Sequence, residues 1–317
     1  MALADTTRLA VEAERLGYRR LWVAEHHGMP AVASSSPPVL IAHLAAMTSI
    51  IRVGSGGVML PNHSPLVVAE QFATLEALHP GRIDLGLGRA PGTDQATARA
   101  LRRTSGLGPD TFPEDVVELI RYLADVEGSP DHPVSVPGKG YLPEVWLLGS
   151  SLYSAQLAGL LGLPFSFAYH FSPGPLDAAL ETYRANFRPG LLQSPRTMVA
   201  VSVLCAPTDE EARWLAGSSA LATVYLRRGR LVPVPSPEEA AAYRYTDAER
   251  ALVGQTLSTH VIGDPANVEA GLRALSARTG ADELIISTRA HSYEARVRSL
   301  ELVAGLDLDR RDDEPAA

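Results

Sequence analysis

Short apolar runs alternate along this chain with longer stretches whose apolar residues recur every three or four positions. Strand-length runs lie at residues 20–24, 52–60, 82–87, 145–148, 164–169, 198–205 and 283–287. Helical periodicity covers residues 5–17, 36–49, 65–78, 93–103, 113–126, 151–161, 176–187, a stretch from 209, 267–277 and 292–303. In the first of these, Leu9, Ala13 and Leu16 share one face and Gly17 closes the helix. Ser36 and Pro37 mark another start, as cap and first-turn proline. Strands separated by helices of this length pair in parallel, because a parallel neighbour needs a long crossover. Their near-continuous apolar character predicts burial on both faces.

Seven strands are one short of a (β/α)8 TIM-type barrel. The expected fold is therefore that α/β barrel lacking its first strand, which would precede Met1. An open, doubly wound sheet is the alternative. It would place a G-x-G-x-x-G turn after the first strand, where this chain has Glu25-His26-His27. Residues 1–306 are expected to form one barrel domain and the polar tail at 307–317 to be disordered. Residues 231–256 break the alternation, with Pro233, Pro235 and Pro237 close together. They read as an insertion before the last strand: a lid or binding loop, or a surface excursion without a role.

In parallel barrels, functional groups sit where strands end. The first strand ends in Glu25, His26 and His27, three consecutive ionisable residues whose histidines exchange protons near neutral pH. A metal would need further ligands, and no H-E-x-x-H pattern is present. The second strand carries Gly54-Ser55-Gly56-Gly57. Its glycines either admit a flat ligand against the backbone or mark a bulge. The third ends in Arg89, a side chain suited to phosphate. The fourth runs into Gly149-Ser150-Ser151-Leu152-Tyr153, a turn and helix start whose N–H groups suit an anion, or whose serines simply cap the helix. Later strand ends add Tyr169-His170 and Ser287-Thr288-Arg289.

Composition narrows the choices. The 317 residues are 46% hydrophobic and 20% charged, the balance of a folded chain. A net charge of −8 argues against binding nucleic acid through bulk electrostatics. The densest basic run, Arg227-Arg228-Gly229-Arg230, is short and reads as a solvated loop. No apolar stretch reaches the roughly 20 residues of a membrane span, and no export signal opens the chain. The lone Cys205 ends an apolar run. It suits a buried thiol in a reducing cytoplasm.

These motifs, in order, resemble the bacterial-luciferase-like flavin monooxygenases. The matching segments are Leu21-Trp22-Val23-Ala24-Glu25-His26-His27, the stretch from Arg52 to Pro61, Glu70-Gln71, Pro80-Gly81-Arg82 and Gly86-Leu87-Gly88-Arg89. Leu148-Gly149-Ser150-Ser151, Val261-Ile262-Gly263-Asp264-Pro265 and the stretch from Gly280 to Ile286 follow. The compact Leu-Gly-Ser-Ser form is similar to that of small FMN-dependent oxygenases. The resemblance implies a barrel enzyme binding reduced FMN at its C-terminal face. A separate flavin reductase would supply FMNH2, O2 would be the oxidant, and a small organic molecule would be oxygenated by a homodimer. By the same resemblance Arg89, Gly149, Ser150, Ser151 and Tyr153 hold the FMN phosphate. Gly56-Gly57 is the site of a cis peptide beside the flavin, and His26 is the proton donor or acceptor, with Glu25 and His27 shaping the site. An F420-dependent hydride-transfer enzyme and a non-catalytic flavoprotein are the alternatives. Gly88 stands where bacterial luciferase has a reactive cysteine, so no thiol mechanism is expected.

Overall fold

The computed structural model describes residues 2–90, 97, 100–101, 111–124, 133–137, 140–172 and 174–308. Most of the expected helix at 93–103 and of the tail at 307–317 lies outside the described residues. The chain divides into two compact units: Met1–Ser166 with Glu181–Arg196, and Phe167–Leu180 with Thr197–Ala317.

The first unit is built from α1 (Ala2–Arg15), β1 (Arg20–Val23), α2 (Pro37–Met47), β2 (Arg52–Met59), α3 (Pro65–Leu78), β3 (Ile83–Gly88), α4 (Phe112–Leu123), β4 (Glu144–Gly149) and α5 (Leu152–Leu160). Strands β1, β2, β3 and β4 pair in that order, all in parallel. β3 is buried at every residue. Val53, Val58, Ile83, Leu85, Leu87 and Leu147 of the strands and Ile41, Leu44, Val68 and Phe72 of the helices are all buried. Each such side chain contributes roughly 1.5–3 kcal/mol by leaving water. Phe72→Ala would open a cavity costing about 3–5 kcal/mol. Gly17, at φ 81°, ends the turn after α1 as expected. Ser36 precedes α2 but makes no side-chain cap bond, and Pro37 alone marks the start.

In the second unit β6 (Thr197–Cys205) is the organising strand. Its first half pairs in parallel with β8 (Glu283–Ser287), its second half with β7 (Val261–Gly263). β5 (Phe165–Phe167) and α6 (Leu176–Asn186) straddle the boundary between the units. The unit is completed by α7 (Asp209–Arg227), α8 (Pro237–Ala242), α9 (Asp247–Leu257), α10 (Pro265–Thr279) and α11 (Tyr293–Ala304). Cys205 is buried, and burial raises its thiol to about 11, with Asp264 adding to the rise. It is an inert core thiol.

One expectation needs correction. The described residues contain eight strands, not seven; β7 is only three residues, too short to show periodicity. Residues 231–256, read as an insertion, contain two short helices. α8 and α9 each begin with a reciprocal capping box, Ser236 with Glu239 and Thr246 with Glu249. Tyr225, Tyr243, Tyr245 and Val253 pack with Leu221, Val224 and Ala240 into a small core of their own. The basic run belongs to it: Arg228 pairs with Glu249 at 2.6 Å, and Arg230 lies over the Tyr225 ring at 4.5 Å.

Candidate active site

The C-terminal ends of β1–β4 gather most of the residues singled out from the sequence. Glu25 follows β1 and is fully buried. Its Oε1 accepts hydrogen bonds from His27 Nε2 at 2.9 Å and His63 Nε2 at 2.8 Å, and its Oε2 accepts from the Met59 N–H at 2.9 Å. Burial pushes this carboxyl up. The His63 bond and charge, the His27 bond and the Met59 N–H outweigh it, leaving Glu25 below the usual carboxylate value. It is therefore a buried, ionised acceptor at neutral pH. His26 donates its backbone N–H to the Ser34 carbonyl at 3.0 Å, while Ser34 Oγ donates to the Ala24 carbonyl at 2.6 Å. The turn carrying the three residues is thus tied on both sides.

His63 was not among the residues read from the sequence. β2 ends at Met59, and a 3-10 turn over Leu60–Asn62 carries the chain back so that His63 faces Glu25. Reading four residues past the strand would have reached it.

Strand register connects this cluster to the other half of the site. Met59 pairs with Gly88, and Gly88 pairs with Leu148. Arg89 and Gly149 are the next residues. The Arg89 guanidinium lies 4.4 Å from the centre of the Tyr153 ring, in the first turn of α5. No carboxylate among the described residues pairs with it. Ser151 caps α5 by accepting from the Ser154 N–H at 3.5 Å, so capping falls to Ser151 rather than Ser150. A guanidinium beside a helix N-terminus and two serines is a donor set for a phosphate.

Between these halves lies Gly56-Gly57, joined by a cis peptide bond. The β2–β3 register skips Gly57, passing from Gly56–Gly86 to Val58–Leu87, so this stretch is a bulge, one of the two sequence readings of the glycines. A Cβ on Gly57 would stand 2.8 Å from the Gly86 carbonyl oxygen, which explains why no side chain is accommodated. A Cβ on Gly88 would meet Met59 Sδ at 2.9 Å.

At the opposite ends of the same strands lies a second polar group that sequence reading missed. Asp84, fully buried, accepts from Arg20 at 2.6 Å, from Arg52 at 2.8 and 2.5 Å, and from Trp22 Nε1 at 2.8 Å. Glu144 accepts from Trp146 Nε1 at 2.7 Å and pairs with Arg196 at 3.0 Å. Arg20 also stacks against the Trp146 ring at 5.3 Å.

In the second unit, His170 follows β5 and donates its N–H to the Ala200 carbonyl at 2.7 Å, with its ring against Phe171. Its Nδ1 is buried without a hydrogen-bond partner, as is Thr288 Oγ1. Burial first, then the charge of Arg289, lowers His170 to about 4, although the Ala200 bond acts the other way. His260 hydrogen-bonds the His170 carbonyl at 3.2 Å. Among the described residues no group of His, Cys, Asp and Glu could hold a metal ion, and no helix is long and apolar enough to cross a membrane.

The family model described as luciferase-like monooxygenase matches residues 1–283. A luciferase-like monooxygenase of Escherichia coli (strain K12) is 48% identical over 302 residues, covering 95% of this chain and 90% of the relative. The N-acetyl-S-alkylcysteine monooxygenase of Bacillus subtilis (strain 168) is 41% identical over 248 residues, covering 76% of this chain and 73% of the relative. Among solved structures, apo-MsnO8 superposes with a TM-score of 0.88 at 38% identity, covering 95% of this chain and 91% of that one.

Proposed function

Because the chain belongs to the luciferase-like monooxygenase family of oxygen-incorporating oxidoreductases, we propose that it oxygenates a small organic substrate using O2 and FMNH2 delivered by a separate flavin reductase. The observation that carries the choice of cofactor is Arg89. It is a guanidinium without a carboxylate partner among the described residues, stacked on Tyr153 beside the α5 N-terminus. That donor set fits the phosphate of FMN, with Gly149, Ser150 and Ser151 completing the cradle. The bare backbone at Gly56-Gly57 suits the approach of a flat ring.

When bound, reduced flavin supplies the two electrons with which O2 is divided between substrate and water. The chain's own residues do the rest. Arg89 and the α5 start anchor the phosphate, and the glycine stretch admits the ring. His26 gives or takes the proton that the oxygen chemistry requires. Glu25 and His27 hold the turn that presents it.

The helices α2 and α3 support a homodimer. Both carry apolar residues on their outward faces, with Val39, Met47, Val67 and Leu78 exposed. Exposed apolar residues gathered on neighbouring helices suit an interaction surface. A cytoplasmic location suits the single buried thiol.

The test is titration with FMN and, separately, with F420, followed by mass spectrometry of products formed with a reductase. The substrate panel would include N-acetyl-S-alkylcysteines, taken from the name of the Bacillus relative. FMN binding with product carrying one added oxygen is the expected result. Preference for F420, or binding without product, would favour hydride transfer or a non-catalytic flavoprotein instead. His26→Ala should lower kcat by roughly 10²–10⁴, the usual share of general acid–base catalysis, with little change in FMN affinity. An unchanged kcat would remove His26 from the mechanism.

A further inference from the structure

The 25–27 turn has an unusual anchor. One oxygen of a fully buried carboxylate serves two imidazoles, and only one of them, His27, lies on the turn itself. The other, His63, comes from the segment after β2 and is about one-third exposed at its side chain (32%). An ionised carboxylate can only accept. So His27 and His63 must each carry a proton on Nε2, and the neutral form of His27 has one tautomer while Glu25 stays charged. His26 sits between two residues fixed in this way, with its own backbone N–H held by Ser34.

We propose that His63 is a positioning residue for this site: by donating to the shared oxygen of Glu25 it holds the 25–27 turn in one arrangement and fixes where the His26 imidazole acts. This rests on the oxygenase reading above.

Glu25 has three donors, and burial works against its charge. Without His63, two donors remain, His27 and the Met59 N–H. The burial penalty then gains weight, and the carboxyl moves toward protonation. A protonated carboxyl both donates and accepts, so it no longer dictates which His27 nitrogen carries the proton. The turn loses its single arrangement. The tie between β1 and the segment after β2 is lost with it. A glutamine at position 63 can place an amide N–H where the imidazole Nε2–H lies. It cannot titrate in this range, but it can donate.

The experiment compares wild type with His63→Ala and His63→Gln. Imidazole nitrogen NMR at mildly alkaline pH reads the His27 tautomer without any flavin present. Turnover and FMN affinity are measured separately. Wild type is expected to show His27 in the Nε2–H form alone. His63→Ala should show a mixture, with kcat down by roughly 10- to 100-fold, the usual cost of losing a partner that orients an imidazole. FMN affinity should hold. His63→Gln should restore both the tautomer and most of the rate. An unchanged His27 signal in His63→Ala overturns the proposal, and so does a His63→Gln variant as slow as His63→Ala. Should the alanine variant not fold, the wild-type spectrum decides: neutral His27 carrying its proton on Nδ1 is incompatible with the assignment. If wild type itself oxygenates nothing, the functional reading fails while the tautomer comparison still stands or falls alone.

Discussion

The two ends of β1–β4 treat charge in opposite ways. At the N-terminal ends, Asp84 and Glu144 are surrounded by Arg20, Arg52 and Arg196, with the indole N–H groups of Trp22 and Trp146 filling further acceptor sites. At the C-terminal ends, Glu25 is held by histidines, and Arg89 stacks on Tyr153 with no carboxylate partner among the described residues. The first arrangement satisfies strong charges permanently. The second pairs its buried carboxylate with imidazoles and gives Arg89 no carboxylate partner among the described residues. The difference separates fixed ion pairs at the strand starts from the strand ends, where parallel β/α units carry function.

The largest expected effect comes from the N-terminal ends. Asp84→Ala would leave the Arg20 and Arg52 guanidinium groups facing each other without their shared carboxylate. Breaking a buried pair on one side costs about 3–5 kcal/mol. A urea melt should show that loss, while folded protein keeps its FMN affinity. A loss confined to FMN binding would reverse the roles assigned to the two ends.

The second unit adds another treatment of a strand-end group. His170 is held neutral, lowered to about 4 by burial and Arg289 against the Ala200 bond. The unfolded chain takes up a proton there as pH falls through the ordinary histidine range, and the folded chain does not. Stability contributed by the neutral ring is therefore present above that range and lost as pH falls toward 4, amounting to at most about 3 kcal/mol. Glu25, lowered from 4.5, has the same sign at lower pH: its contribution is present above the unfolded carboxylate value and is lost as pH falls through the folded one. Melts across acid pH should show two phases. His170→Gln should flatten the first and Glu25→Gln the second. A single phase insensitive to His170→Gln would show that the ring is not held neutral.

Arg89→Ala should weaken FMN binding by about 1.5–3 kcal/mol, the value of hydrogen bonds to a charged group, with an unchanged melting temperature. The two parts are equally diagnostic, because a guanidinium with no carboxylate partner among the described residues should add little to folding. A destabilised Arg89→Ala variant would place it with the N-terminal arginines.

The C-terminal strand ends were more legible in the sequence than the N-terminal ones. Glu25, His27, Arg89, Ser151 and Tyr153 were legible because they stand immediately after apolar runs, and strand ends carry function. His63 escaped because a 3-10 turn separates it from β2. Asp84 and Glu144 escaped because they sit at strand starts, inside runs whose apolar residues dominate the pattern. Their partners lie up to 124 residues away in sequence, a separation that no local pattern records. The three residues of β7 are below the length at which period two can be seen. The helices at 237–242 and 247–257 were legible in principle. Ser236-Pro237-Glu238-Glu239 and Thr246-Asp247-Ala248-Glu249 both have the capping-box spacing, which the prolines around them obscured.

Ser151 gives the smallest effect, and it bears on both sides of the comparison. As the cap of α5 it accepts from the Ser154 N–H at 3.5 Å, the long limit of such a bond. Ser151→Ala should therefore cost roughly 0.5 kcal/mol of stability, the low end for N-cap removal. Its hydroxyl hydrogen is a donor as well, and at the helix start it points chemistry toward an anion. FMN affinity should fall several-fold in the same variant, in the manner of one lost neutral hydrogen bond of about 1 kcal/mol. Equilibrium unfolding and FMN titration separate the two losses. If stability falls and affinity does not, Ser151 is only a cap, and the phosphate cradle contracts to Arg89, Ser150 and the backbone of α5. If affinity falls more than stability, the same hydroxyl closes the helix in the free protein and serves the ligand when it binds.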